Sequence, residues 1–188
     1  MENAGNKTDE GIPQVVLFHS DNLEDWQYVS VLAKDLDGKL GTMWECPDFF
    51  SLNGEYGLLI SPQNMMAGNE FHNGNNVAFL SGKYDKKRHI FQYDKAISVD
   101  EGLDFYAPQT LEMPDGRRIM IGWMQSWDSN IRPENQKWSG MMSLPRELQI
   151  IDGKLIQSPV KEMENYYADT VNYTNQEIAG KNILRYQI

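Results

Sequence analysis

The sequence predicts an all-β chain. Three observations carry that prediction. Short apolar or alternating runs recur along the 188 residues, tight-turn residues separate them, and only VKEMENYY (160–167) has a helical look. In chain order, QVVLFHS (14–20) and WQYVSVLA (26–33) flank the polar connection NLED. DFFSL (48–52) and YGLLIS (56–61) are joined through Asn53-Gly54, the strongest short hairpin signal present. NVAFLSGKYD (76–85) and RHIFQYDKA (88–96) follow. FYAPQTLEM (105–113) and RRIMIGWM (117–124) meet at Pro114-Asp115-Gly116. MSLPRELQII (142–151) and KLIQSP (154–159) meet at Asp152-Gly153. Two four-strand units emerge, 47–97 and 105–157, each opening on an aromatic-rich strand preceded by acidic residues. A repeat of roughly 50 residues favours propeller blades over a sandwich.

Composition narrows the function classes. Lys and Arg total 17 against 27 for Asp and Glu, a net charge of −10 with no basic block. Such a chain is a poor partner for nucleic acid or anionic membranes. The single cysteine rules out an internal disulfide framework and fits a reducing compartment. No apolar run reaches the roughly 18 residues of a membrane span. Residues 1–12 lack the basic and apolar regions of a signal peptide, so a cytoplasmic chain is expected. His19, His72 and His89 are scattered without metal-ligand spacing. Asp35-Leu36-Asp37-Gly38 echoes a calcium loop, but its glycine falls too early and no closing glutamate follows. No metal or cofactor is expected.

Two stretches could carry chemistry. In TMWECPDFF (42–50), Glu45 lies between Trp44 and the stiff Cys46-Pro47 pair. An aromatic neighbour and partial burial disfavour a charged carboxyl, as a general acid requires. An ordinary surface glutamate before a strand is the bland alternative, and Asp48 reads equally as a turn residue. In DFYAPQT (104–110), Asp104, Tyr106 and Gln109 gather an acid, an aromatic and an amide, suited to the apolar faces and polar rims of sugars. A half-buried strand with core aromatics fits the same letters. Trp123 ends a strand in which Gly122 permits close backbone approach, and is either a sugar-stacking wall or core. Trp127 and Trp138 fall in a polar connection that reads as a surface loop, and Arg146 is a candidate partner for a buried acid.

Trp44-Glu45-Cys46-Pro47-Asp48 resembles the WECPD signature of glycoside hydrolase family 32, the invertases, sucrose-6-phosphate hydrolases and fructan hydrolases. HSDNLEDW (19–26), GLDFYAPQT (102–110), IGWM (121–124), SLPREL (143–148) and KLIQSPVKEM (154–163) resemble further family motifs in the family's order. Glu101-Gly102-Leu103 departs from its usual Asp-Tyr/Phe-Gly. The resemblance implies a five-bladed β-propeller followed by a β-sandwich, and retaining hydrolysis of terminal β-fructosides by an Asp nucleophile and a Glu acid/base. It implies that Glu45 is the acid/base, with Trp44, Asp48, Asp104, Tyr106, Gln109 and Trp123 in the substrate pocket. The family's NDPNG and RDP motifs, which carry the nucleophile and a stabilising Asp, do not occur here. The resemblance therefore implies the C-terminal part of the catalytic propeller, roughly blades three to five, over 1–158. A linker and the start of the sandwich are implied over 159–188. Alone, such a chain is expected to be inactive and to self-associate through open blade edges. The alternatives are a fructoside-binding module or an assembly piece.

Overall fold

The computed structural model describes residues 2–129, 132, 134–168 and 174. Eleven strands among them form three antiparallel sheets. The first comprises β1 (Glu2–Lys7), β2 (Pro13–His19) and β3 (Gln27–Lys34). The second comprises β4 (Met43–Leu52), β5 (Glu55–Gln63), β6 (Ala78–Asp85) and β7 (Ile90–Ser98). The third comprises β8 (Tyr106–Glu112), β9 (Arg118–Trp123), β10 (Arg146–Ile151) and β11 (Lys154–Pro159). In each sheet sequential strands are neighbours, an up-and-down meander that matches the two four-strand units expected from the sequence. A 3-10 helix, Lys161–Tyr166, is all that the helical-looking segment forms. Of the segment 159–188, residues 169–173 and 175–188 lie outside the described residues.

The middle sheet is buried on both faces, which explains why YGLLIS reads as a continuous apolar run. Leu58, Ile60 and Leu80 face one core with Val15, Leu17, Leu32 and Trp44. Leu59 and Phe79 face the other, with Phe50, Phe105, Met120, Leu148 and Ile150. The period-2 alternation of a strand thus serves two cores at once. The hairpin signals hold: Asn53-Gly54 has φ of 55° and 83°, and Asp152-Gly153 has 51° and 71°. Positive φ at both central residues is what a two-residue turn matched to strand twist requires. Asp35, which echoed a calcium loop, instead accepts the amides of Asp37, Gly38 and Leu40 and tightens the connection after β3. Among the described residues no three His, Cys, Asp or Glu side chains gather to hold a metal, and no helix is long and apolar enough to cross a membrane.

Two elements differ from the sequence reading. The polar run ENAGNK forms β1, because six residues register against β2 and supply the ladder that its composition does not suggest. The strand expected to start at Asp48 starts at Met43, so Glu45 lies inside β4 rather than before it. A bulge makes this possible by absorbing Pro47.

Candidate active site

The first strands of the second and third sheets carry the same device. In β4, Glu45 pairs with Ser61 and Asp48 with Leu59, so Cys46 and Pro47 together oppose a single residue of β5. In β8, Tyr106 pairs with Trp123 and Gln109 with Ile121, so Ala107 and Pro108 together oppose Gly122. Both bulges place a non-glycine residue in the left-handed region immediately before the proline, Cys46 at φ 46° and Ala107 at φ 50°. Bulges of this kind bend a strand and re-aim the side chains beside them. Here the residues just ahead of the bulges, Glu45 and Tyr106, are brought together.

Their side chains meet in an open pocket of about 450 Å³, lined by Gly5, Met43, Trp44, Glu45, Cys46, Tyr106, Ala107, Trp123 and Trp127. Glu45 is the one carboxylate among these lining residues. Its Oε2 accepts the Tyr106 phenol at 2.9 Å and the Trp127 indole N–H at 3.2 Å. The Tyr106 hydroxyl also faces the Ser61 carbonyl at 3.1 Å. Trp127 stands edge-on to Trp123 (centroids 6.0 Å apart) and to Tyr106 (6.5 Å). A carboxyl with one oxygen fixed by two donors, inside an aromatic wall, is suited to proton transfer to a sugar oxygen. Burial and the neighbouring Glu45 charge both push the Cys46 thiol up, so it is a poor nucleophile at neutral pH.

The cross-sheet spacing is held by hydrogen bonds. Asp48 Oδ2 accepts the Thr110 amide (2.8 Å) and hydroxyl (2.6 Å). The Gln109 amide group donates to the Cys46 carbonyl at 3.2 Å, and the Ala107 amide to Ser61 Oγ at 3.2 Å. Behind the site the Phe105 ring lies over Gly122, where a Cβ would come within 2.4 Å of it. This is the close approach that Gly122 suggested. Arg146 covers the same ring at 4.5 Å while pairing with Asp100 at 2.8 Å.

The sequence profile of the "Glycosyl hydrolases family 32 N-terminal domain" matches residues 3–159. The chain belongs to glycosyl hydrolase family 32. Among its relatives in the family, an Escherichia coli sucrose-6-phosphate hydrolase is 37% identical over 182 residues, 96% of this chain and 38% of that protein. An Escherichia coli raffinose invertase is 40% identical over 164 residues, covering 86% and 34%. A Bombyx mori GH32 beta-fructofuranosidase superposes with a TM-score of 0.81 at 34% identity, over 89% of this chain and 36% of that one. A mutant of that enzyme, solved in complex with sucrose, gives 0.82. The chain thus spans little more than a third of the length of these relatives.

Within this family 32 chain, the residues expected to line the pocket divide. Glu45, Tyr106 and Trp123 line it. Trp44 borders it, but its ring is fully buried and its indole donates to the Leu40 carbonyl at 2.9 Å, so the ring packs the core instead of offering a sugar a face. Asp48 and Gln109 are not among the lining residues, and their polar groups brace β4 against β8. Asp104 accepts the Ser126 hydroxyl at 3.0 Å and borders a neighbouring hollow of about 340 Å³ with Phe105, Trp138 and Arg146. Trp127, read from the sequence as a surface-loop residue, is the addition. Its only sequence signal was a second tryptophan four residues after Trp123.

Two tyrosines, Tyr106 at the pocket and Tyr93 against the core around Trp44, give the fold an alkaline signature. Burial, then the bond to Glu45 and its charge, hold the Tyr106 phenol far above the ordinary tyrosine value. Burial and the charges of Asp35 and Asp37 push Tyr93 up to about 12. In the unfolded chain both ionise near pH 10, whereas the fold keeps them protonated, so their stabilisation is complete below that pH and lost above it. Melting temperature should therefore fall as pH climbs from 9 to 11, and less steeply in Tyr106→Phe. An equal slope in both proteins would exclude Tyr106 as a contributor.

Proposed function

We propose that the chain supplies the acid/base part of a retaining β-fructofuranosidase site. Its substrates are terminal β-fructosides such as sucrose, sucrose-6-phosphate or fructans. The observation that carries this reading is Glu45, the single carboxylate among the described lining residues of an aromatic pocket, with Oε2 held by Tyr106 and Trp127. The relatives named as sucrose-6-phosphate hydrolase, raffinose invertase and beta-fructofuranosidase support the substrate class. Retaining hydrolysis needs a second carboxylate about 5–5.5 Å from the first. On this reading it comes from the part of the propeller that holds the family's NDPNG motif.

The three sheets are then consecutive blades of the family's five-bladed propeller: part of the third, the fourth and the fifth. Leu111 and Ile121, exposed on the third sheet, form an open apolar face for a further blade or a second copy of the chain. Mixing the chain with a segment carrying NDPNG and RDP tests the reading. Sedimentation should show association, and sucrose should be hydrolysed with retained configuration at the anomeric carbon, read by NMR of the first-formed fructose. A complex without turnover, or inversion, would sink it.

A further inference from the structure

Trp127 poses a physical question. It is 63% exposed, so burial does not hold it, yet its indole N–H reaches the Glu45 carboxylate. The residues on either side explain its place. Ser126, itself buried, donates its hydroxyl to Asp104 Oδ1 at 3.0 Å, tying the strap to the segment that enters β8. Asp128 accepts the side-chain amide of Asn75, a buried residue in the connection between β5 and β6. That connection is firm in its own right: the Asn75 amide bonds Asn73 Oδ1 at 2.9 Å and the Asn76 amide bonds the Pro62 carbonyl at 3.3 Å. Three consecutive residues are thus fastened to three different places: before β8, on β4 and after β5.

We infer that Ser126-Trp127-Asp128 is a positioning clamp, in which Ser126 and Asp128 hold the Trp127 indole on Glu45. Trp127 and Tyr106 both donate to the same carboxylate oxygen, Oε2. Two donors on one oxygen stabilise the carboxylate there and direct the proton of the acid form to the other oxygen. The clamp therefore selects the oxygen from which a proton leaves. Pinning both neighbours removes the loop freedom that an exposed tryptophan otherwise keeps. The catalytic meaning rests on Glu45 being the acid/base, but the geometry does not. The Trp127 indole resonance reports geometry alone, so the two can fail separately.

The five tryptophan side-chain N–H resonances of the chain serve as probes, with Trp127 assigned through Trp127→Phe. Trp44 and Trp26, whose indoles donate to the carbonyls of Leu40 and Leu23, are internal controls. In Glu45→Ala, Ser126→Ala and Asn75→Ala the Trp127 resonance should move towards its position in free indole. Its exchange with solvent should quicken about fivefold to tenfold. The Trp44 and Trp26 resonances should stay in place, which shows that the fold survives. Ser126→Thr keeps a hydroxyl donor and should restore the Trp127 resonance. Should Ser126→Ala unfold the chain, Asp128→Ala reads the other anchor. A Trp127 resonance unchanged in the anchor variants, or indifferent to Glu45→Ala, overturns the clamp.

Discussion

Trp44→Ala should lower the stability of the chain by about 3–5 kcal/mol, measured by urea unfolding. The ring is among the largest fully buried side chains, packed with Val15, Leu32, Leu58, Ile60 and Leu80 and edge-on to Tyr93 at 6.3 Å. Truncation removes that burial and leaves a cavity between the first and second sheets, since close-packed neighbours relax only in part. It also leaves the carbonyl of Leu40, a buried residue, without its donor, at a cost of about 1–3 kcal/mol already within the range typical of such truncations. Trp44→Phe separates the two effects, because it refills most of the cavity and restores no N–H. A Trp44→Ala protein within about 1 kcal/mol of the parent would show that the ring is not core, and would return it to the wall of the pocket.

Trp44 also shows where the letters stop being informative. WECPD and DFYAPQ both read as dense functional stretches, and residues of both line one pocket. Strand, hairpin and unit boundaries were legible because apolar alternation and Asn-Gly or Asp-Gly turns act locally, within a few residues of the signal. What each side chain of those stretches faces is not local. The two bulges decide it, by inserting an extra residue at Cys46-Pro47 and at Ala107-Pro108. Each insertion shifts the pleat, so residues before and after it no longer alternate by simple count. Counting along the strand puts Glu45 and Asp48, three positions apart, on opposite faces, whereas the bulge turns both towards β8, Glu45 to Tyr106 and Asp48 to Thr110. The shared x-Pro pattern of the two strands was the available hint, and it becomes decisive only when φ is positive at both Cys46 and Ala107.

Long-range contacts hid the rest. Trp127 reaches Glu45 across 82 positions, and Asn75 reaches Asp128 across 53. No periodicity covers such distances, and the connection 125–139 carries the polar residues of any exposed loop. β1 was equally silent, since its polar residues take their strand geometry from β2 and not from propensity. These omissions concentrate at the site. Stability there depends less on a hydrophobic pattern than on a few hydrogen bonds joining separate sheets.

In a complete family 32 enzyme carrying this chain, Glu45→Gln should lower kcat/KM for sucrose by about 10²–10⁴-fold. At about 1.4 kcal/mol per decade that is roughly 3–5.5 kcal/mol of transition-state stabilisation. The choice of glutamine matters. Its side-chain oxygen accepts the Tyr106 and Trp127 donors as the carboxylate Oε2 does, so the hydrogen-bonded geometry persists while the transferable proton is gone. The loss therefore measures proton transfer and not collapse of the pocket, and melting temperature should stay close to that of the parent. Glu45→Ala removes the side chain altogether and opens room for a small anion. With a fructoside whose leaving group departs without protonation, the first step then survives, and the fructosyl-enzyme waits for a nucleophile that needs no general base. Added azide should accelerate turnover of that substrate by Glu45→Ala and form a fructosyl azide of retained configuration, whereas sucrose, whose leaving group needs the proton, should gain nothing. Activity of Glu45→Gln on sucrose within tenfold of the parent would remove Glu45 from the role of acid/base. Azide acceleration equal for the two substrates would show that its absence is felt only in the second step.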